Sequence, residues 1–276
     1  MTEAVDRVTR GSRKHVLDWT GRPSCLSELA ELLAPVPVRI PRGTTPMPCG
    51  PDAPMEARLE RHGQRWLPGH PAWRVLQDWW LVHKAGANTP NWDIAVGCEL
   101  EGRPGLVLVE AKANHRELKA GGKPLRADAS LKARANHERI GAAIVEACVG
   151  WRLVDARVTI TRDAHYQLVN RLAFTWKLAT LGIPVALVYL GFAGDEGIRD
   201  AGTPFADDAD WQAAFREHLR DHHGREIVPL DLLERRLEVL SPATDDPVPV
   251  WLLSRSRPVI EVSPPRGSLR QTPPTL

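Results

Sequence analysis

Three charged residues stand in or beside two apolar runs: Asp93, Glu110 and Lys112. The runs, 92–100 and 105–113, are rich in Val, Leu and Ile, and Glu101-Gly102-Arg103-Pro104-Gly105 between them is turn chemistry. Two strands of a hairpin are therefore expected, folding about Gly102-Arg103. Side chains alternate across a strand, which puts Glu110 and Lys112 on one face with Leu106 and Leu108. Position 93 falls opposite about 110 to 112, and opposed residues point to the same face. Two carboxylates and an ammonium would then converge at the open end of the hairpin. A buried carboxylate is costly unless it is paired, hydrogen-bonded or bound to a metal. A divalent cation such as Mg2+ or Mn2+ would relieve the repulsion between the two acids, since it takes carboxylate oxygens and water. A lysine beside them can hold a phosphate or orient an attacking water. That combination suits metal-assisted hydrolysis of a phosphodiester.

An acidic residue on one strand followed by Glu-x-Lys on the next resembles the PD-(D/E)XK nuclease superfamily, the restriction-endonuclease-like fold. Here the pattern runs Pro90-Asn91-Trp92-Asp93, then 94–109, then Glu110-Ala111-Lys112. The proline precedes the aspartate by three residues instead of adjoining it. The resemblance implies an α/β fold with a mixed sheet, an αβββαβ core over about 71–192, and Mg2+ or Mn2+ as cofactor. It makes Asp93 and Glu110 metal ligands with the Ala111 carbonyl as a third, and Lys112 the residue that positions the water. From a later helix it implies a polar residue pointing back at the site, for which Gln167 and Arg171 are the best matches. A further carboxylate from the preceding helix has no clear counterpart; Glu56 and Gln77 are the candidates. The substrate implied is nucleic acid, DNA foremost, and a homodimer is an option.

The hairpin needs neighbours to position it. Residues 71–84 carry apolar side chains at Ala72, Val75, Leu76, Trp79 and Val82, a helical stripe. After the hairpin, 114–127 reads as a basic loop and 129–149 as a long helix. On that helix Lys132 and Asn136 fall away from the apolar side and are candidates for nucleic-acid contact. Residues 151–161 include a strand candidate, Arg157-Val158-Thr159-Ile160. Asp163 can cap a helix ended by Gly182. On it Gln167, Asn170, Arg171 and Lys177 line up apart from the apolar stripe, and Arg171 and Lys177 are further candidates for nucleic-acid contact. The run Ile183–Gly191 is apolar almost throughout and reads as a strand buried on both faces.

The flanks are less informative. Residues 1–54 read as a leader with a helix at 26–34 and a proline-rich connector, 55–240 as the nuclease-like domain, and 241–276 as a proline-rich tail, disordered beyond about 263. Val250–Leu253 and Val259–Val262 are short strand candidates within that tail. Residues 208–223 form a helix; His218 and His222 have ligand spacing there but lack the acidic partner of a zinc-protease motif.

Composition excludes some classes. A 276-residue chain with 43% hydrophobic and 25% charged residues is that of an ordinary globular protein. The net charge of +2 announces no global field for nucleic acid, so any binding surface is local. No run of about 18 apolar residues suggests a membrane span. Four cysteines without a CxxC pair fit free thiols and a cytoplasmic setting. Ten tryptophans are chiefly core, with some available to stack on bases. Two alternatives to the nuclease remain open: a catalytically inactive scaffold that binds nucleic acid or a protein, and another metal-dependent phosphohydrolase acting on nucleotides.

Overall fold

In the computed structural model, which describes residues 10–200 and 202–259, six strands form one mixed sheet with helices on both faces. The spatial order is β1 (Val38–Arg39), β2 (Ile94–Leu100), β3 (Arg103–Lys112), β4 (Val185–Ala193), β6 (Val248–Pro258) and β5 (Arg236–Val239). The three central neighbours β3, β4 and β6 are parallel; β1–β2, β2–β3 and β5–β6 pair antiparallel. All nine residues of β4 are buried, as its unbroken apolar run requires.

One face of the sheet is covered by α4 (Ala72–Trp80), α5 (Leu131–Val154), α6 (Tyr166–Thr180) and α7 (Asp208–His218). Leu106, Leu108, Leu187, Tyr189 and Leu252 meet them there. The other face packs on α1 (Gly11–Thr20) and α2 (Cys25–Leu33) through Val96, Val107, Val109, Val188 and Leu190. A short helix, α3 (Leu59–His62), precedes α4. Eight of the ten tryptophans are buried, leaving Trp66 and Trp251 partly accessible.

Several expectations need correction. The expected leader supplies a whole helical layer: Val16, Trp19, Leu29 and Leu33 are buried against the sheet. The expected tail supplies β6, an eleven-residue strand beside β4, so the sheet draws on all three expected segments. Residues from 260 onward, including most of the second strand candidate there, lie outside the described residues. The core order is not αβββαβ: from α4 to β4 the chain runs helix, two strands, two helices, strand. No strand forms at 157–160: α5 continues to Val154, and Val158 and Ile160 then enter the core from a loop whose Thr159 amide donates to the Ile227 carbonyl. On α4 the buried side includes Trp73 and Trp80, while Val75 is exposed, as is Val82 beyond the helix end.

The hairpin turn sits one residue earlier than expected, at Glu101-Gly102, with φ of 53° and 77° and Leu100 opposite Arg103. Two successive left-handed residues match the twist of the flanking strands, and glycine takes that conformation at no steric cost. Among the described residues, no helix is long and apolar enough to cross a membrane.

Candidate active site

The β2–β3 register pairs Ile94 with Val109, so Asp93, just before β2, arrives opposite Glu110. Asp93 Oδ2 accepts a 2.8 Å hydrogen bond from the Ala111 amide. This ties the start of β2 to the end of β3 where the ladder would otherwise stop. A strand residue sends its N–H and C=O to the same edge, so the Ala111 carbonyl leaves on the Asp93 side as well.

Glu110 and Lys112 share the α4–α7 face with Leu106 and Leu108, and both are buried. Lys112 Nζ donates to Glu110 Oε1, and also to Gln167 Oε1 at 3.3 Å. Arg171, one helical turn after Gln167 on α6, donates from Nε to Glu110 Oε2 at 2.6 Å. Its guanidinium lies 4.6 Å from the Trp92 ring centroid, a cation–π contact, and donates to Asn170 Oδ1 at 3.1 Å. Glu110 is thus held between two cations, and Asp93 stands beside them.

α6 is aimed by an unusual start. The expected Asp163 cap is absent; His165 occupies the cap position at φ 46° with no side-chain cap. The His165 and Tyr166 amides instead donate to the carbonyls of Ala120 and Gly121, at 2.8 and 3.0 Å. The basic loop that leaves β3 therefore fixes the entry of α6, and through it Gln167 and Arg171. The loop is anchored further by Glu117, which accepts the Ala113 amide at 3.0 Å.

The electrostatics follow from burial and partners. Loss of water would by itself raise Glu110, but Arg171 and Lys112 outweigh it and hold the carboxyl at about 2. Asp93 is pushed the other way, up to about 7, by desolvation first and by the Glu110 charge second. Burial works against charged Lys112 and Arg171, yet Glu110 and Asp93 raise both above their ordinary values. Two carboxyls at one site, one ionised and one able to carry a proton near neutrality, make an electrostatically divided pair.

The oxygen chemistry suits a hard divalent cation. Asp93, Glu110 and the Ala111 carbonyl would hold it, and such ions commonly keep several waters beside one or two carboxylates. Among the described residues, no group of three or more His, Cys, Asp or Glu is arranged to hold a metal. Glu56 bonds Arg13 and Asn91, and Gln77 lies part-exposed on α4, so neither joins the partners found for Asp93 and Glu110.

The remaining sequence candidates separate. Asn136 is buried and accepts from the amides of Val82 and His83, at 3.0 and 2.8 Å, while donating to the His83 carbonyl. It locks the chain leaving α4 and is not placed for nucleic acid. Lys177 donates to Glu146 at 2.8 Å and sits over the Trp79 and Trp176 rings, again a packing role. Arg171 is buried against Glu110 and does not present its guanidinium at the surface. Lys132 alone of the four is exposed, in the first turn of α5.

Sequence reasoning missed Trp92 as the surface under Arg171, and Tyr189, which β4 places beside Glu110 by register. Among the described residues Tyr189 Oη, which is buried, has no hydrogen-bond partner, and burial followed by the Glu110 charge drives its pKa well above the usual value. The polar tip inside an otherwise apolar buried strand was the available signal. His218, noted for its spacing to His222, pairs instead with His165, at 3.3 Å between Nδ1 atoms.

No family model matches the chain, and neither a curated protein nor a solved structure matches it.

Proposed function

We propose that the protein is a metal-dependent nuclease of the PD-(D/E)XK type that hydrolyses phosphodiester bonds, with DNA as the expected substrate. The observation that carries this reading is the convergence of Asp93, Glu110, Lys112 and Gln167 at one strand end, with the Asp93–Ala111 hydrogen bond holding the two strands in register. When bound, Mg2+ or Mn2+ would polarise the phosphate and lower the pKa of an attacking water. Asp93 and Glu110 would hold that ion. Lys112 Nζ, kept in place by Gln167, would orient the water and offset charge on the phosphate. Arg171 would keep Glu110 ionised and oriented. The free thiols of all four cysteines agree with a cytoplasmic setting.

The test is cleavage of single- and double-stranded DNA and RNA with Mg2+ or Mn2+, wild type beside Lys112→Ala and Asp93→Ala. Loss of about 100-fold or more in rate is expected for each variant. Equal activity in the variants would place the chemistry elsewhere.

One observation favours a second reading, a non-catalytic module that binds nucleic acid or a protein. Both Glu110 oxygens are engaged by Lys112 and Arg171, a closed arrangement that an ion must share or open. Binding of nucleic acid without cleavage on any substrate would select this reading.

A further inference from the structure

The edge of the sheet carries a second feature outside the acidic cluster. Arg39 pairs with Glu99, and Met47 bridges Ala95, so eight residues on one chain span four on β2. The surplus chain, 41–45, lifts off the strand and leaves a groove of about 380 Å³. Gly43 turns the lifted segment at φ 81°. The floor is Gly97, where a side chain would collide with Trp66 at 2.9 Å. The missing side chain lets Trp66 lie on the strand, and its Nε1 is tied to the Thr45 carbonyl at 3.3 Å.

Two arginines line this groove, Arg42 and Arg65, both exposed. Among the described residues neither forms an ion pair; Arg65 makes one contact, at 3.7 Å, with the Met47 sulfur. Glu99, the acid on the groove wall, is already neutralised by Arg39. Thr44 and Thr45 add hydroxyls. Two uncompensated guanidiniums beside a partly accessible indole are the ingredients of single-strand binding: charge for phosphate and a ring face for a base.

Position matters too. Gly97 and Asp93 are four residues apart, hence on the same face of one strand and about 13 Å apart by strand rise. A strand of nucleic acid lying in the groove would need only a short stretch to reach the acidic cluster. We infer that the Arg42–Arg65–Trp66 groove binds single-stranded nucleic acid, the guanidiniums taking phosphates and Trp66 stacking on a base. This rests on the reading that the chain acts on nucleic acid, and it specifies an unpaired strand as what the edge of the sheet receives.

The experiment is fluorescence anisotropy of labelled oligothymidylate and of a matched duplex, in EDTA, over a range of NaCl concentrations. Arg42→Ala/Arg65→Ala should weaken single-strand binding and flatten its log–log salt slope by about 1.4, the loss of two phosphate contacts. Trp66→Ala should weaken single-strand binding by about 5- to 160-fold, and duplex binding less. Thermal melts verify that each variant folds; among the described residues the arginines hold no ion pair whose loss would unfold the chain. Unchanged affinity and slope in the folded double variant overturn the inference, as does equal loss on both substrates in Trp66→Ala or no oligothymidylate binding by wild type. Cleavage is read separately. Arginine-dependent binding without cleavage keeps the groove and removes the nuclease, while cleavage with unaltered binding in the variants does the reverse.

Discussion

The β2–β3 hairpin carries charge at both ends, and the two ends hold it in different ways. At the turn, Arg236 pairs with Glu101 and Glu238, and Arg39 with Glu99, all on the surface. At the open end, Glu110, Lys112 and Arg171 are buried, with Asp93 beside them. The residue types are the same; the solvent is not. Surface pairs gain little because water and salt screen them. Buried ones must overcome the loss of hydration, and an apolar substitute of similar shape is often as stable. A polypeptide that only needed to close its sheet would have placed leucines at 110 and 112, as it did at 106 and 108. The contrast supports the proposal that the open end serves chemistry.

The comparison can be broken most directly at Arg171. Arg171→Met should cost about 3–5 kcal/mol in urea unfolding, because it strips one of two counter-charges from a buried carboxylate. A loss under about 1 kcal/mol would mean that the open end is solvated like the turn.

Asp93 offers a second lever, in pH. Its folded carboxyl titrates near 7, above the ordinary value of 3.8. Between those values the folded chain keeps a proton that the unfolded chain releases. The stability from this group is therefore full below about pH 4 and lost as pH rises toward 7. Glu110, held at about 2, does the opposite: its contribution is present above about 4.5 and lost as pH falls toward 2. Asp93→Asn should flatten the fall between pH 4 and 7 and leave the protein as stable or more so at pH 7, by up to a few kcal/mol. The amide oxygen can still accept from Ala111. An unchanged pH profile in denaturation midpoints would contradict the assignment.

The smallest effect belongs at the turn. Arg39→Ala and Arg236→Ala should each change stability by less than about 1 kcal/mol, and less still at high salt. A larger, salt-insensitive loss would erase the difference between the two ends.

The hairpin was legible because its logic is local. Alternation and a glycine turn set which side chains share a face, and the 93-to-110 opposition followed. The buried strand β4 and the helix before it were legible for the same reason, through unbroken hydrophobicity and helical spacing. What escaped depends on distant chain. Asn136 reads as a polar residue on an open helix side; only the arrival of Val82 and His83 makes it a buried clamp. Arg171 reads both as a residue pointing back at the site and as a nucleic-acid contact; only the arrival of Glu110 on β3 selects the first. β6 was legible only as the short stretch Val250–Leu253, within a proline-rich tail, and its full length from Val248 to Pro258 was not. Pro249 stands near the start of β6 and Pro258 is its last residue, positions where a missing amide costs little. The α1 helix was missed because its starting residue is a glycine and its buried side chains, His15 among them, are not uniformly apolar.

The placement of β6 also governs how the molecule is made. Among the described residues it is the last strand in sequence, yet it lies against β4, the most deeply buried one. During synthesis the hairpin, the helices and β4 all emerge before the segment that covers the β4 edge. Until residue 258 is free, that edge offers unpaired amides and apolar side chains to any neighbouring chain. A nascent or truncated product ending before Val248 should accumulate as aggregate even with every cluster residue intact. Solubility of the newborn chain therefore rests on a strand that contributes no residue to the acidic cluster.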